Sequence, residues 1–308
     1  YHGEPSCLAS VLILGARKGG STSMYTYMSQ HPRFEGVKLD AGPQAGELLL
    51  LHKLRLARGP HTGGAAARQR YDDEFLTELT RSHKGDSPGD NSDWLEALRT
   101  GSHITGESSV SNGPSCSAPA VLRAACGPNV RFIYLVRDPI ERLVSQYRMR
   151  QRLGTGQGQG TIEEQVRADL AVAKAQIPSE PNWWEAKGKI PCPFSNDWLN
   201  SVWSGLYIVH LSRWLRSFPQ STNIKVVLSD RFFAHPAETV ADVLDFVGLS
   251  PDEMDVTKVV AQAYNAAPKS GGAASELLPD TIRELADYFR PYNLALERTF
   301  GVDVSEWY

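Results

Sequence analysis

Cysteine is scarce in this chain. Cys7, Cys116, Cys126 and Cys192 are the whole set, with no Cys-x-x-Cys pair and no histidine at zinc-finger spacing. That excludes a structural zinc site of the usual kind, and no metal is implied anywhere. The thiols fit either four buried free cysteines or one bridge closing the short loop between Cys116 and Cys126. No apolar run approaches the ~20 residues that cross a bilayer, so no membrane contact is expected within the chain. Internal repeats are absent as well, which excludes solenoids and propellers. An Asn-x-Ser/Thr acceptor is missing too, and with it one sign of passage through the secretory pathway. The chain opens on Tyr1 rather than Met and reads as a mature or trimmed fragment, so a missing anchor says little about the native gene product.

An excess of positive charge is also lacking. The net charge of −3 is not that of a nucleic-acid binder or a general polyanion binder. Basic residues gather only locally, at Arg148, Arg150 and Arg152 and at Arg55, Arg58, Arg68 and Arg70. Alternate arginines on a helix do not share one face, so a basic groove and a solvated surface are equal readings of the first group. With 308 residues, 41% of them hydrophobic, the chain can bury a large core. We read residues 1–308 as a single domain.

What the sequence does contain is a short apolar strand, Val11 to Leu14, running into a loop rich in glycine and hydroxyls, Gly15-Ala16-Arg17-Lys18-Gly19-Gly20-Ser21-Thr22-Ser23, and then into a helix. Loop amides and the first amides of a helix lack backbone acceptors and converge on an anion. Gly15 and Gly20 have the spacing of a nucleotide-triphosphate P-loop, but Ser21 stands where that motif has its lysine, and the lysine is Lys18, inside the loop.

A second segment completes the first. Arg131 to Val136 reads as a strand buried on both faces. It is followed by Arg137-Asp138-Pro139-Ile140-Glu141-Arg142-Leu143-Val144-Ser145, in which Asp138 caps a helix and Pro139 suits its first turn. Arg137 leaves the strand's carboxyl end and Ser145 lies two helical turns on. In an open parallel sheet that edge is where ligands bind, and both side chains are good phosphate ligands.

The remaining organisation is coarser. Strands are expected at 34–38 and 224–228, and helices at 22–30, 72–81, 92–99, 201–218, 237–248 and 279–298, the last long or broken at Pro291. Residues 154–200 begin with a glycine-rich run and carry Trp183, Trp184 and Trp198, and read as an acceptor-facing insert. The paired tryptophans offer sugar-stacking faces, although aromatics in an irregular insert more often pack it onto the body. Strands alternating with helices predict an α/β fold, a mainly parallel sheet with helices on both faces.

Taken together, the two motifs resemble those of the sulfotransferases that use 3′-phosphoadenosine 5′-phosphosulfate (PAPS). The first matches that family's 5′-phosphosulfate loop, and the second its 3′-phosphate motif. Gly106-Glu107-Ser108-Ser109 and the stretch Gly205-Leu206-Tyr207 through Trp214-Leu215 resemble elements of the Golgi carbohydrate branch, the chondroitin and heparan sulfate enzymes. The resemblance implies a P-loop-like fold and transfer of a sulfuryl group to a hydroxyl or amine, releasing 3′-phosphoadenosine 5′-phosphate (PAP). It implies a glycan or small hydroxylated acceptor and residence in the Golgi lumen, the cytoplasm being the alternative.

By residue, the resemblance makes Lys18 the cation at the bridging oxygen. Gly19, Gly20, Ser21, Thr22 and Ser23 hold the 5′-phosphate with Arg17 in support, and Arg137 and Ser145 hold the 3′-phosphate. Lys269 and Ser270 close over the donor. The attacking group must lose a proton, which calls for a general base. Glu47 lies where the family keeps one, although the lysine, proline and histidine usual around it are replaced here; His52 and Glu107 stand in reserve. Two other classes fit parts of the pattern. A P-loop kinase or NTPase would need lysine at position 21, and a silent PAPS- or glycan-binding protein would keep the phosphate ligands without a working base.

Overall fold

The computed structural model describes residues 9–36, 73, 93–154, 160–186, 188, 190–194, 200–219, 223–261 and 276–307. Strand β1 (Ala9–Gly15) leads through helix α1 (Ser21–Met28) to β2 (Phe34–Gly36). Helix α2 (Asp93–Thr100), β3 (Ile104–Ser108), α3 (Ala118–Cys126) and β4 (Arg131–Val136) follow. Next come α4 (Pro139–Leu153), α5 (Ile162–Gln176), α6 (Tyr207–Ser217) and β5 (Ile224–Leu228). The chain continues through α7 (Ser229–Ala234), α8 (Pro236–Val247) and α9 (Val256–Val260) to the long α10 (Pro279–Phe300).

The five strands form one parallel sheet in the order β2-β3-β1-β4-β5. The chain leaves β1 toward β2 on one side and leaves β4 toward β5 on the other. The order therefore reverses between β1 and β4, and their carboxyl ends frame the crevice where such sheets bind ligands. Period-two alternation along the strands supplies two cores. Leu12, Leu14, Phe132 and Tyr134 pack on one face with Leu122, Trp214 and Phe289, whereas Val11, Ile13, Ile133 and Leu135 pack on the other with Met24, Phe232 and Val243. Helices thus cover both faces, as the strand and helix alternation predicts.

Two local departures have physical causes. The stretch 104–108 holds Gly106, Glu107 and Ser108, poor strand formers by propensity, yet forms β3 because β1 and β2 pair with it on either side. A Cβ on Gly106 would strike the Val11 carbonyl oxygen, so glycine is what lets the strands approach. The predicted helix 201–218 divides into a 3₁₀ turn, Trp203–Gly205, and α6; a Cβ at Gly205 would lie 2.9 Å from the Phe289 ring. Pro291 sits inside an unbroken α10.

Residues 160–176 are not irregular. Thr161 and Glu164 form a reciprocal capping box that starts α5: the Glu164 amide donates to Thr161 Oγ1 at 3.2 Å, and the Thr161 amide to Glu164 Oε2 at 2.8 Å. Trp183 and Trp184 are buried, the latter 4.8 Å from the Tyr292 ring of α10, so these two rings pack the segment onto the body and offer no sugar a face.

The cysteines also depart from expectation. Among the described residues no cysteine is free, and Cys116 is bonded to Cys192 rather than to Cys126, which is itself in a disulfide. The Cys192 segment is held a second time from α6. Arg213 donates to the Pro191 carbonyl at 2.5 Å and to His210 Nδ1 at 3.3 Å, and His210 Nε2 donates to the Trp203 carbonyl at 2.8 Å. Burial and then the Arg213 charge hold His210 well below its ordinary pKa, which keeps it neutral. The bridge joins residues 76 apart. Replacing Cys116 and Cys192 together by serine is expected to lower the unfolding free energy by about 2–4 kcal/mol in denaturant titrations; an unchanged midpoint would show that the polar anchors suffice.

Candidate functional site

The loop after β1 is seated by backbone contacts. The Ala16 amide donates to the Leu135 carbonyl of β4 at 2.6 Å, and the Gly19 amide to the Ala16 carbonyl at 2.9 Å. Ser229 at the start of α7 donates its hydroxyl to the Gly19 carbonyl at 2.7 Å. Gly19 has no room for a side chain, since a Cβ there would lie 2.9 Å from Leu135 O and 3.0 Å from Ala16 O. Lys18 adopts the left-handed region at φ 69°, and Gly20, the N-cap of α1, has φ 97°. Gly20 has no side chain with which to cap α1, and the first turn of the helix has no acidic residue. The first amides of α1 lack intrahelical acceptors, and the partial positive charge of its N-terminus favours an anion. Ser21 and Ser23 are buried and Thr22 is half-buried on this turn.

The second half of the site leaves β4. Asp138 accepts from the Ile140 and Glu141 amides at 2.7 and 3.0 Å and caps α4, while burial pushes its carboxyl pKa up. Tyr207, at the start of α6, donates its hydroxyl to the Arg137 carbonyl at 2.7 Å, and burial raises that phenol to about 12. The backbone of Arg137 is thus gripped from the next helix. Its guanidinium is half-buried and lies 3.5 Å from a Glu141 carboxylate oxygen. Ser145 is half-buried along the same helix. Fully buried Arg142 fastens α4 in place, donating to Gln146 Oε1 at 2.6 Å and to the Ser201 carbonyl.

Electrostatics join the halves. Burial lowers the Lys18 pKa, and the charges of Arg152, Arg17 and Arg137 lower it further. Four cations therefore converge, and among the described residues no carboxylate pairs with Lys18. A ligand carrying several negative charges relieves their mutual repulsion. The donor set, three guanidiniums, an ammonium, hydroxyls and loop amides, fits a phosphate-bearing group.

The three neighbouring arginines on α4 have three destinations. Arg148 pairs with Glu276 at 3.1 Å, and Arg150 is buried against the Tyr147 ring. Only exposed Arg152 turns its charge on the site.

The structure brings together Arg17, Lys18, Gly19, Gly20, Ser21, Thr22, Ser23 and Arg137, with Ser145 on the helix that Arg137 precedes. Glu47, His52, Lys269 and Ser270 lie outside the described residues. Glu107 is buried in β3 opposite Leu12 and accepts from Ser109 Oγ at 3.0 Å. Sequence reasoning missed Ser229, and gave no role to Tyr207 or Arg142. No local motif marks Ser229, because its partner lies 210 residues away.

Comparison with known proteins bears directly on this geometry. The family described as "Sulfotransferase domain" matches residues 8–289. Carbohydrate sulfotransferase 15 of Homo sapiens is 24% identical over 332 residues, spanning 99% of this chain and 56% of that protein. Heparan sulfate glucosamine 3-O-sulfotransferase 3B1 of Mus musculus is 23% identical over 311 residues, 96% of this chain and 64% of that protein. The chain thus spans less than two-thirds of these curated relatives. Among solved structures, a sulfotransferase from Alicyclobacillus acidocaldarius superposes with a TM-score of 0.61 at 19% identity over 99% of both chains, which supports the fold.

The anchoring of α4 generates a stability expectation. Replacing Arg142 with methionine leaves the Ser201 carbonyl and the Gln146 side chain without this donor in a buried setting, and is expected to cost about 1–3 kcal/mol in denaturant unfolding. Unaltered stability would mean that other groups hold α4.

Proposed function

The chain belongs to the sulfotransferase domain family, and from that premise we propose that it transfers a sulfuryl group from PAPS to a hydroxyl or amine of an acceptor, in the first instance a glycan. The carrying observation is the cluster of Lys18, Arg17, Arg137 and Arg152 at the crevice between β1 and β4. When bound, PAPS supplies the sulfuryl group and leaves as PAP.

In this reading the amides around Gly19, Gly20 and Ser21, with the hydroxyls of Thr22 and Ser23, hold the 5′-phosphate. Arg137 and Ser145 hold the 3′-phosphate, and Lys269 and Ser270 cover the nucleotide. Lys18 sits at the bridging oxygen, where negative charge grows as the bond to sulfur breaks. Its left-handed backbone and the seat under Gly19 hold the ammonium in advance, so little reorganisation is needed. The acceptor oxygen or nitrogen forms the new bond to sulfur and gives up its proton to Glu47, the proposed base. Serine at position 21 argues against phosphoryl transfer, since the lysine of a nucleotide-triphosphate P-loop belongs there.

The glycan acceptor is favoured by the relatives' names, one a carbohydrate sulfotransferase and the other acting on heparan sulfate glucosamine. For location, the Cys116–Cys192 disulfide favours an oxidising compartment such as the Golgi lumen over the cytoplasm. Among the described residues no helix is long and apolar enough to cross a membrane. We keep residues 1–308 as one domain, with the insert around 154–200 bordering the acceptor.

Transfer of labelled sulfate from PAPS to a panel of glycans, without added magnesium, tests the reading. Lys18→Ala is expected to lower turnover by about 10²–10³-fold, whereas Arg137→Ala and Ser145→Ala chiefly raise the KM for PAPS. Full turnover in Lys18→Ala would refute the role given to that residue. PAP binding without transfer to any acceptor would favour a silent binder.

The lowered Lys18 pKa adds a pH dependence. The ammonium is charged below that pKa and neutral above it, so PAP affinity should fall as pH rises through a value below that of an ordinary lysine. Calorimetric titrations of Lys18→Ala should lack this alkaline limb.

A further inference from the structure

Trp307 lies in a short 3₁₀ turn, Ser305–Trp307, beyond α10, and its indole is buried. Local chemistry folds this stretch back onto the body. Gly301 ends α10 in the left-handed region at φ 65°. Asp303 then accepts from the Ser305 amide at 3.1 Å and from the Ser305 hydroxyl at 2.7 Å, and the Trp307 amide donates to the Val304 carbonyl at 3.0 Å. Val304 is buried as well, so the segment packs into the core.

The indole meets a residue that supports the donor site. Its ring centroid lies 6.2 Å from that of Tyr207, edge-on at 62°, and Tyr134 of β4 meets Tyr207 in the same manner at 6.1 Å. Tyr207 is itself buried, and its hydroxyl donates to the Arg137 carbonyl at 2.7 Å. That bond has a local reason. The Ile140 and Glu141 amides, early donors of α4, are both taken by the Asp138 carboxylate. The Arg137 carbonyl is instead served from α6, and the direction of the Tyr207 ring decides whether the hydroxyl reaches it.

We propose that Trp307 is a positioning residue for donor recognition: it fills the space beside the Tyr207 ring, keeps the hydroxyl on the Arg137 carbonyl, and so sustains the preference of the site for a nucleotide that carries a 3′-phosphate. The inference rests on the donor assignment made above, in which Arg137 holds that phosphate. Removing an aromatic ring from a packed interior leaves a cavity into which its neighbours partly relax. Tyr207 borders this one. Because a guanidinium fork recognises phosphate through a definite geometry, a small displacement of the Arg137 backbone weakens the 3′-phosphate contact. The Lys18 loop is tied separately, to Leu135 and to Ser229, and stays in place.

Calorimetry on the full chain with two probes, PAP and adenosine 5′-monophosphate, tests this, since the second lacks the 3′-phosphate. Trp307→Ala is expected to weaken PAP binding by roughly ten-fold, the order of a lost hydrogen bond to a charged group, and to leave adenosine 5′-monophosphate binding unchanged. Tyr207→Phe, which keeps the ring and removes the hydroxyl, should narrow the preference to the same extent, whereas Trp307→Phe should retain most of it. In the double variant of Trp307→Ala and Tyr207→Phe the two losses should not add, because both act through one bond. Equal weakening of both nucleotides would overturn the positioning role by showing that the substitution loosens the fold at large. An unchanged preference in Trp307→Ala, or in Tyr207→Phe should the alanine variant not fold, would overturn it too while leaving the donor assignment standing. A parent protein that binds the two nucleotides equally would overturn the donor assignment and the inference with it.

Discussion

The site depends on how a short loop is seated across two strand ends. The hydrogen bond from the Ala16 amide to the Leu135 carbonyl ties the turn after β1 to β4, and the Gly19 amide closes the turn back on Ala16. Without that seat Lys18 has no reason to occupy a left-handed conformation, and the N-terminus of α1 has no fixed direction. The seat also explains why Gly19 tolerates no side chain: two carbonyl oxygens already occupy the space. Ser229 then carries the same constraint from Gly19 to the end of β5. Three neighbouring strand ends are thus coupled through one loop.

A second constraint acts on charge. Lys18 is half-buried among arginines, so the folded chain holds a concentration of positive potential that burial and repulsion make costly. Such perturbed groups cluster at functional sites. The surrounding scaffold resists relaxation of the cluster. Tyr207 holds the Arg137 backbone, Asp138 caps α4, and Arg142 fastens that helix to the Ser201 carbonyl. An ammonium held among arginines on such an anchored scaffold is suited to stabilising negative charge, because the ammonium and the dipoles around it are oriented beforehand.

Much of this was legible in the sequence, for identifiable reasons. β1, β4 and β5 announce themselves as apolar, β-favouring runs, and Asp138-Pro139 marks the start of α4 by local capping chemistry. Lys18 and Arg137 stand out because their motifs are contiguous. By contrast, β3 was hidden by Gly106 and Ser108, whose strand conformation is imposed by neighbours on both sides. The Thr161/Glu164 capping box was readable, but the glycine-rich run before it suggested an irregular insert. Disulfide pairing followed spatial proximity, joining Cys116 to distant Cys192 over the sequence-near Cys126. Ser229 was invisible for the same reason: its contact with the donor loop spans 210 residues and exists only once the sheet has formed.

The most direct test of the account is a crystal structure of the protein with PAP bound. The account predicts the 5′-phosphate on the amides of Gly19 to Ser21 with the Lys18 ammonium beside its free oxygen, and the 3′-phosphate on Arg137 and Ser145. A nucleotide bound in the reverse sense, or with Lys18 turned away from the 5′-phosphate, would contradict it.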